Sequence, residues 1–163
     1  MIQILITGGT IDKHYDESGV LTFKDSKIPS IIDQGRFNAE LAYQQVMLKD
    51  SLDMTEDDRR IIAKACESTQ AKKILITHGT DTMVETARYI ASHNVELIQQ
   101  KAIVLVGAMV PQTVRQSDAN FNIGFALGAL SSIESGIYIA MSGQIFPWNN
   151  VQKNKEDMVF EAP

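Results

Sequence analysis

The sequence predicts an open, doubly wound α/β fold, in which a mostly parallel sheet carries helices on both faces. Four short apolar runs rich in β-branched residues are bounded by turn residues, as strands buried on both faces are; they cover residues 2–6, 73–76, 102–106 and 136–141. Helical patterns separate the later runs. Strands that alternate with helices pair in parallel, and the preference for right-handed crossovers leaves few other arrangements.

Three helices are marked by their first residues. Thr55 is a plausible N-cap because acidic residues follow it, and apolar residues then recur at helical spacing. Thr82, three residues before Glu85, predicts a capping box at the start of the second helix. The third helix is expected to begin near Ser117 and Asp118.

Two segments carry weaker patterns. Residues 12–22 contain turn-forming residues and no long apolar run, so we expect a mobile loop or a hairpin there. Residues 144–163 contain Pro147 and adjacent asparagines, which disfavour a helix.

Composition limits the classes of protein that are possible. With 163 residues and 44% hydrophobic residues, we expect one globular domain over residues 1–163. The formal net charge is −5 and no basic face is evident, so nucleic acid is not an expected partner. No apolar run reaches the roughly 18 residues that span a bilayer, and the first residues lack the features of a signal peptide. We therefore expect a cytoplasmic protein without a membrane partner.

The single cysteine and the three histidines do not predict a metal site. Cys66 cannot form an internal disulfide, and it lies in a helical pattern, so we expect a small buried hydrophobic residue. The histidines are scattered, which does not fit the ligand spacing of zinc sites.

Two similar loops follow strands and carry the residues of chemical interest. The first reads Thr-Gly-Gly-Thr-Ile-Asp over residues 7–12, and the second reads Thr-His-Gly-Thr-Asp-Thr over residues 77–82. Each presents a hydroxyl just past a glycine, which allows a close approach of the backbone to a ligand. His78 has no evident partner for catalysis and is interpreted as a structural, hydrogen-bonding residue. Asp81 fits either a functional carboxylate or a favourable charge at a helix N-terminus.

These two loops resemble the active-site signatures of the bacterial-type L-asparaginase/glutaminase family, and they occur in that family's order. Residues 51–54, residues 106–109 with Pro111, and residues 121–122 also resemble family segments, so the match runs from Ile2 to at least Met141. The resemblance implies hydrolysis of L-asparagine to L-aspartate and ammonia, with L-glutamine as a possible further substrate. It implies no cofactor, because threonine hydroxyls and backbone donors supply the chemistry.

The resemblance also implies catalytic roles for particular residues. Thr10 corresponds to the primary nucleophile, and Tyr15 corresponds to the residue that polarises its hydroxyl. Thr80 and Asp81 form a second group with a later lysine, for which Lys153 is the best match and Lys155 the alternative. A lysine beside Asp81 is favoured as the ammonium ion, so it can act as a base only where burial or proton sharing offsets that attraction. The residues that correspond to the substrate-binding positions are Gly9, Ser51, Leu52, Gly79, Thr80 and Asp81.

The sequence departs from the family in two respects. Leu52 stands where many members have a glutamine residue. An apolar side chain cannot make the polar contact of that residue, and we expect a preference for asparagine over glutamine as the substrate. The family's smaller C-terminal domain, which contributes to the partner's site, is expected to be absent. A homodimer or a larger homo-oligomer is still expected. Two alternatives remain open: a non-catalytic sensor of aspartate or asparagine, and the amidase subunit of a tRNA-dependent amidotransferase.

Overall fold

The computed structural model describes all 163 residues and confirms the doubly wound α/β fold. The ten strands are Ile2–Gly8 (β1), Lys13–Tyr15 (β2), Leu21–Phe23 (β3), Leu41–Lys49 (β4), Lys73–Thr77 (β5), Ala102–Val106 (β6), Gly136–Met141 (β7), Gln144–Pro147 (β8), Gln152–Asn154 (β9) and Val159–Glu161 (β10). Six of them form one sheet in the order β4-β1-β5-β6-β7-β8. All neighbours in this sheet are parallel except β8, which is antiparallel to β7. The other four strands form two antiparallel hairpins, β2–β3 and β9–β10.

The four predicted strands are confirmed as β1, β5, β6 and β7, but the sequence did not predict β4. This nine-residue strand lies at the edge of the sheet and pairs only with β1. Tyr43, Gln44 and Gln45 in its centre are exposed, because no strand or helix covers them there. An edge strand need not be an apolar run, and for this reason no apolar run predicted β4.

Five α-helices connect the strands, and they span Ile28–Gln34 (α1), Glu56–Ser68 (α2), Met83–His93 (α3), Val95–Gln100 (α4) and Ala119–Ser132 (α5). Thr55 caps α2 as predicted, and it forms a capping box with Asp58. The capping box predicted at Thr82 was wrong. The Thr82 hydroxyl donates instead to the Ser51 carbonyl oxygen at 2.7 Å, so it joins two loops rather than satisfying the first turn of α3.

The helices are divided between the two faces of the sheet. Helix α1 packs against α5, whereas α2 packs against α3 and α3 against α4. The connection from β6 to β7 runs in the same direction across the sheet as that from β5 to β6, yet its helix α5 lies on the opposite face. The two connections therefore have opposite hands. Because right-handed crossovers are the rule, the β6-α5-β7 connection is the left-handed exception.

One core of 40 buried residues unites the strands and helices. Every residue of β1 and β6 is buried, as predicted for strands covered on both faces. Cys66 is fully buried in α2, and this burial raises the pKa of its thiol to about 12. The prediction of a small buried hydrophobic residue is confirmed.

The order of the strands identifies where a ligand would bind. From the central strand β1 the chain crosses outward to β4, and it then returns past β1 to β5 on the other side. In open α/β sheets such a reversal opens a crevice at the carboxyl ends of the strands, and ligands bind there. Both threonine loops begin at this edge, after β1 and after β5.

Candidate active site

The loop after β1 approaches its neighbours closely because it contains two adjacent glycines. Gly8 and Gly9 have φ angles of +94° and +84°, which side chains rarely adopt. The Gly9 N–H donates to the Lys49 carbonyl oxygen at 2.9 Å, and a Cβ atom at Gly9 would lie 2.5 Å from the Cα atom of Gly79. Thr10 follows directly, is half-buried, and its hydroxyl makes no hydrogen bond within the chain. The Thr10 hydroxyl is therefore free for a ligand.

The loop after β5 lies against the first loop and against Ser51. Thr7 at the end of β1 donates its hydroxyl to the Thr77 carbonyl oxygen at 2.6 Å, which joins the two strand ends. A Cβ atom at Gly79 would lie 2.5 Å from the Ser51 hydroxyl oxygen, so only glycine fits this contact. The structure thus brings Gly9, Ser51 and Gly79 together at one place.

His78 supports this second loop from the interior. Its side chain is fully buried, and Nδ1 donates to the Gly79 carbonyl oxygen at 2.7 Å. Because a carbonyl can only accept, the proton is on Nδ1, and Nε2 accepts from the Thr86 hydroxyl at 2.8 Å. Burial lowers the pKa of His78 to about 4, so the ring is neutral at neutral pH. The interpretation of His78 as a structural residue is confirmed.

Lys153 reaches the second threonine and its neighbouring carboxylate. Its Nζ atom donates to the Thr80 hydroxyl oxygen at 2.9 Å and to Asp81 Oδ1 at 2.7 Å. The Lys153 side chain is only 6% exposed, whereas that of Asp81 is 40% exposed. Lys155, the alternative, lies exposed in the turn after β9 and makes no such contact. Of the two candidate lysines, Lys153 is thus the one that contacts Thr80 and Asp81 in the structure.

Met109 and Asp118 complete the surroundings of Thr80, and their contacts there were not predicted from the sequence. The Thr80 hydroxyl donates to Met109 Sδ at 3.5 Å, while the Met109 and Val110 N–H groups donate to the Asp118 carboxylate at 3.0–3.1 Å. Asn122 donates to the same carboxylate at 2.9 Å. Asp118 and Asn122 are four positions apart at a helix start, and this spacing indicates that their side chains lie next to each other on the helix.

Tyr15 is exposed and makes no hydrogen bond to Thr10. It lies in the β2–β3 hairpin, which confirms the loop or hairpin predicted over residues 12–22, and 58% of its surface is exposed. Its hydroxyl makes no hydrogen bond. The base of the hairpin is fixed by the buried Asp12, whose Oδ1 accepts from the Ser26 hydroxyl at 2.8 Å and from the Lys27 N–H at 2.9 Å. Burial raises the pKa of Asp12.

The predicted substrate-binding positions differ in exposure. Ser51 is 1% exposed, and its hydroxyl makes no hydrogen bond within the chain. Leu52 is 70% exposed, and its N–H donates to Asp50 Oδ1 at 3.0 Å. The Leu52 N–H is thus already used within the chain, and its side chain faces solvent.

An ion pair that the sequence analysis missed joins two of these loops. The Lys13 ammonium, three residues after Thr10, contacts Asp50 Oδ2, directly before Ser51. Burial raises the pKa of Asp50, but hydrogen bonds from Lys13 and from the Leu52 N–H outweigh the effect of burial, and the pKa of Asp50 lies below its ordinary value.

The structure contains no group of three or more His, Cys, Asp or Glu side chains placed to hold a metal ion. None of its helices is both long and apolar enough to span a membrane.

Together, the fold and the site define a doubly wound α/β protein in which two threonine loops, a carboxylate and a buried lysine meet at the switch point of the sheet. The chain belongs to the asparaginase family: the family model described as "Asparaginase, N-terminal" matches residues 1–161.

Individual relatives agree with this assignment. The chain is 31% identical to a probable periplasmic L-asparaginase from Haemophilus influenzae over 99% of its own length and 49% of that protein. The structure of the thermostable L-asparaginase from Thermococcus kodakarensis superposes with a TM-score of 0.85 at 27% identity, covering 99% of this chain and 50% of the other. For a probable cytoplasmic L-asparaginase from Campylobacter jejuni the TM-score is 0.79 at 30% identity, covering 99% and 52%. The chain thus spans about half the length of these relatives.

Proposed function

We propose that this protein hydrolyses the side-chain amide of L-asparagine to give L-aspartate and ammonia. The observation that carries the proposal is the buried Lys153 that bonds both Thr80 and Asp81, on the same edge of the sheet as the free Thr10 hydroxyl. Hydrolysis of an amide needs a nucleophile, donors for the oxyanion and a proton for the departing amine. The two loops offer hydroxyls, backbone N–H groups and an ammonium group for these tasks.

Thr10 is the proposed nucleophile of the first half-reaction. Its Oγ atom forms a bond to the amide carbon as its proton passes to solvent water, which later returns a proton to Lys153, and the carbonyl oxygen takes the negative charge. The carbon–nitrogen bond then breaks, and the amine takes a proton and departs as ammonia. Water attacks the resulting ester, one water proton returns to Thr10 Oγ, and aspartate is released. Tyr15 is proposed to polarise Thr10 after the hairpin moves towards the site, because the two residues make no hydrogen bond in this structure.

The Thr80-Lys153-Asp81 group is the proposed proton relay. Lys153 donates to the Thr80 oxygen, so the Thr80 hydroxyl hydrogen points elsewhere, and it lies against the weak acceptor Met109 Sδ. Breaking the hydrogen bond from the Thr80 hydroxyl to this weak acceptor costs little free energy. Thr80 can therefore turn its proton to the departing amine while it receives one from Lys153, and Asp81 holds the ammonium in place before transfer.

Substrate recognition is proposed to combine Asp81 with the loop residues. The exposed oxygen of Asp81 would hold the α-amino group, and the free Ser51 hydroxyl with the N–H groups around Gly9 and Gly79 would hold the α-carboxylate. Leu52 offers no polar side-chain contact, which supports a preference for asparagine over glutamine. All of these groups lie within residues 1–163, which we propose to form one catalytic domain.

Ammonia release from L-asparagine and L-glutamine tests the proposal. We expect wild-type activity towards asparagine, and a loss of at least about 10²-fold in kcat for Thr10→Ala, Thr80→Ala and Lys153→Met. Lys155→Met is the matched control, because Lys155 lies two residues further along the same hairpin but is exposed. Full activity in Lys153→Met, or an equal loss in Lys155→Met, would contradict the proposed relay. Equal turnover of both amides would contradict the substrate preference.

A non-catalytic sensor of aspartate or asparagine is the second candidate. The exposed Tyr15, which makes no hydrogen bond to Thr10, is the observation that favours it. Aspartate binding by calorimetry without ammonia release from asparagine would identify the sensor.

We also propose an assembly and a cellular location. Leu52 and Phe121 are 70% and 62% exposed, and we propose that a homodimer or a larger homo-oligomer covers them. Sedimentation velocity at micromolar concentration checks this, and a monomer at every concentration would contradict it. We propose a cytoplasmic location, which fractionation of the source cells would test.

A further inference from the structure

The ion pair between Lys13 and Asp50 joins the nucleophile loop to the substrate-binding loop, and we call this pair the loop clamp. Lys13 follows Thr10 by three residues, and Asp50 precedes Ser51 directly. One oxygen of Asp50 contacts the Lys13 ammonium. The other accepts the Leu52 N–H at 3.0 Å and so shapes the turn that carries Ser51. A single carboxylate thus fixes the Ser51 turn and holds it to the Thr10 loop.

Further contacts hold Lys13 itself in place. Its Nζ atom lies 5.7 Å from the centre of the Phe23 ring, on the second strand of the hairpin. Its carbonyl oxygen accepts from the Thr113 hydroxyl at 3.3 Å, in the loop after β6. Lys13 is therefore in contact with three different loops around the site.

The loop clamp is better shielded from solvent than an ordinary surface pair. The side chains of Lys13 and Asp50 are 19% and 28% exposed, whereas those of Arg60 and Asp57, which pair on α2, are 57% and 79% exposed. Water and salt screen an exposed pair strongly and a partly buried pair less. The exposed pair on α2 therefore provides a natural control.

We propose that the loop clamp fixes the distance between Thr10 and Ser51, and that this distance selects the length of the amide substrate. The inference rests on the proposed function, in which Thr10 attacks the amide and Ser51 holds the α-carboxylate. Asparagine and glutamine differ by one methylene group, about 1.5 Å of chain. A misplacement of about 1 Å can cost about 10²-fold in rate. A fixed distance between Thr10 and Ser51 therefore favours one of the two amides. If that distance varies, the site discriminates less between asparagine and glutamine.

Activity of clamp variants towards both amides tests the inference. We expect the ratio of kcat/KM for asparagine over glutamine to fall at least fivefold in Lys13→Met and in Asp50→Asn, mainly through kcat for asparagine. Asp50→Asn keeps an oxygen for the Leu52 N–H and removes the charge. The double variant should lose little more than either single one, because both break the same contact. Lys13→Arg should restore most of the ratio, and Arg60→Met should leave it unchanged.

Ratios within twofold of wild type in both clamp variants would overturn the inference. If the wild-type protein released ammonia from neither amide, the proposed function would fail, and two other measurements would decide on the clamp. Calorimetry would compare the affinities for L-aspartate and L-glutamate, and hydrogen exchange would follow residues 9–13 and 50–54. Faster exchange in both segments of Lys13→Met, but not of Arg60→Met, would support the clamp, and unchanged exchange would refute it.

Discussion

Replacement of His78 by asparagine should remove a specific part of the pH dependence of stability. The ordinary pKa of histidine is 6.5, and burial lowers that of His78 to about 4 in the folded protein. A group whose pKa is lowered by folding stabilises the folded state fully above its unfolded pKa. That stabilisation is lost as the pH falls from about 6.5 towards about 4, because the unfolded chain binds the proton first.

The size of the effect follows from the two pKa values. A shift of about 2.5 units corresponds to about 3.4 kcal/mol, at about 1.36 kcal/mol per unit. Linkage then gives a loss of about 2 kcal/mol at pH 5 and about 3 kcal/mol at pH 4, relative to pH 8. His78→Asn keeps a donor near the position of Nδ1 for the Gly79 carbonyl oxygen, but it cannot titrate. It leaves the buried Thr86 hydroxyl without its acceptor, which costs about 1–3 kcal/mol at neutral pH.

Urea unfolding followed by circular dichroism at several pH values between 4 and 8 measures the difference. We expect His78→Asn to be less stable than wild type at pH 8, and the difference to shrink by about 2 kcal/mol at pH 5. All other titrating groups cancel in this difference. His93→Asn, at the exposed end of α3, is the matched control for the loss of a histidine. A constant difference between wild type and His78→Asn would refute a neutral, buried His78.

Three further predictions follow from particular positions. Gly9→Ala should reduce kcat at least about tenfold, because it places a Cβ atom against the Gly79 backbone at a φ of +84°. Gly128→Ala is the control on α5, where the space is open, and it should leave activity intact and stabilise the fold by about 1 kcal/mol. Cys66 should resist iodoacetamide at pH 8 until denaturant is added, because burial raises its pKa to about 12, and labelling of the native protein would contradict its burial. Leu52→Gln should lower KM for asparagine severalfold with kcat within about twofold, and an unchanged KM would show that position 52 does not reach the substrate.

The central strands could be predicted because burial on both faces leaves a direct pattern in the sequence. Strands β1 and β6 are apolar throughout, and the structure confirms both. Strand β4 could not be found in this way, because its exposed centre need not be apolar. The capping box at Thr82 was wrong because the Thr82 hydroxyl makes no hydrogen bond to the first turn of α3. It donates instead to the Ser51 carbonyl oxygen, 31 positions earlier in the sequence, and the local sequence does not indicate that partner.

The loop clamp shows another limit of the sequence. Lys13 and Asp50 are 37 positions apart, and neither stands in a motif. They meet because β1 and β4 are parallel neighbours, so that the residues after both strands lie at the same edge of the sheet. Since β4 was not predicted, nothing in the sequence indicated that these charges form a pair. The contact between Lys13 and Asp50 was therefore not predicted, because β4 was not predicted.

The choice between Lys153 and Lys155 was open for a physical reason. Residues two apart on a strand point to the same face, so an extended segment alone does not separate them. The structure separates them because β9 ends at Asn154, which leaves Lys155 in the exposed turn of the hairpin. The chain reaches this point by passing α3, where Arg88 donates to the Val151 carbonyl oxygen at 3.3 Å. That contact brings Lys153 towards the start of α3, where Asp81 and Thr80 lie, and the position of the lysine thus depends on tertiary packing rather than on local sequence.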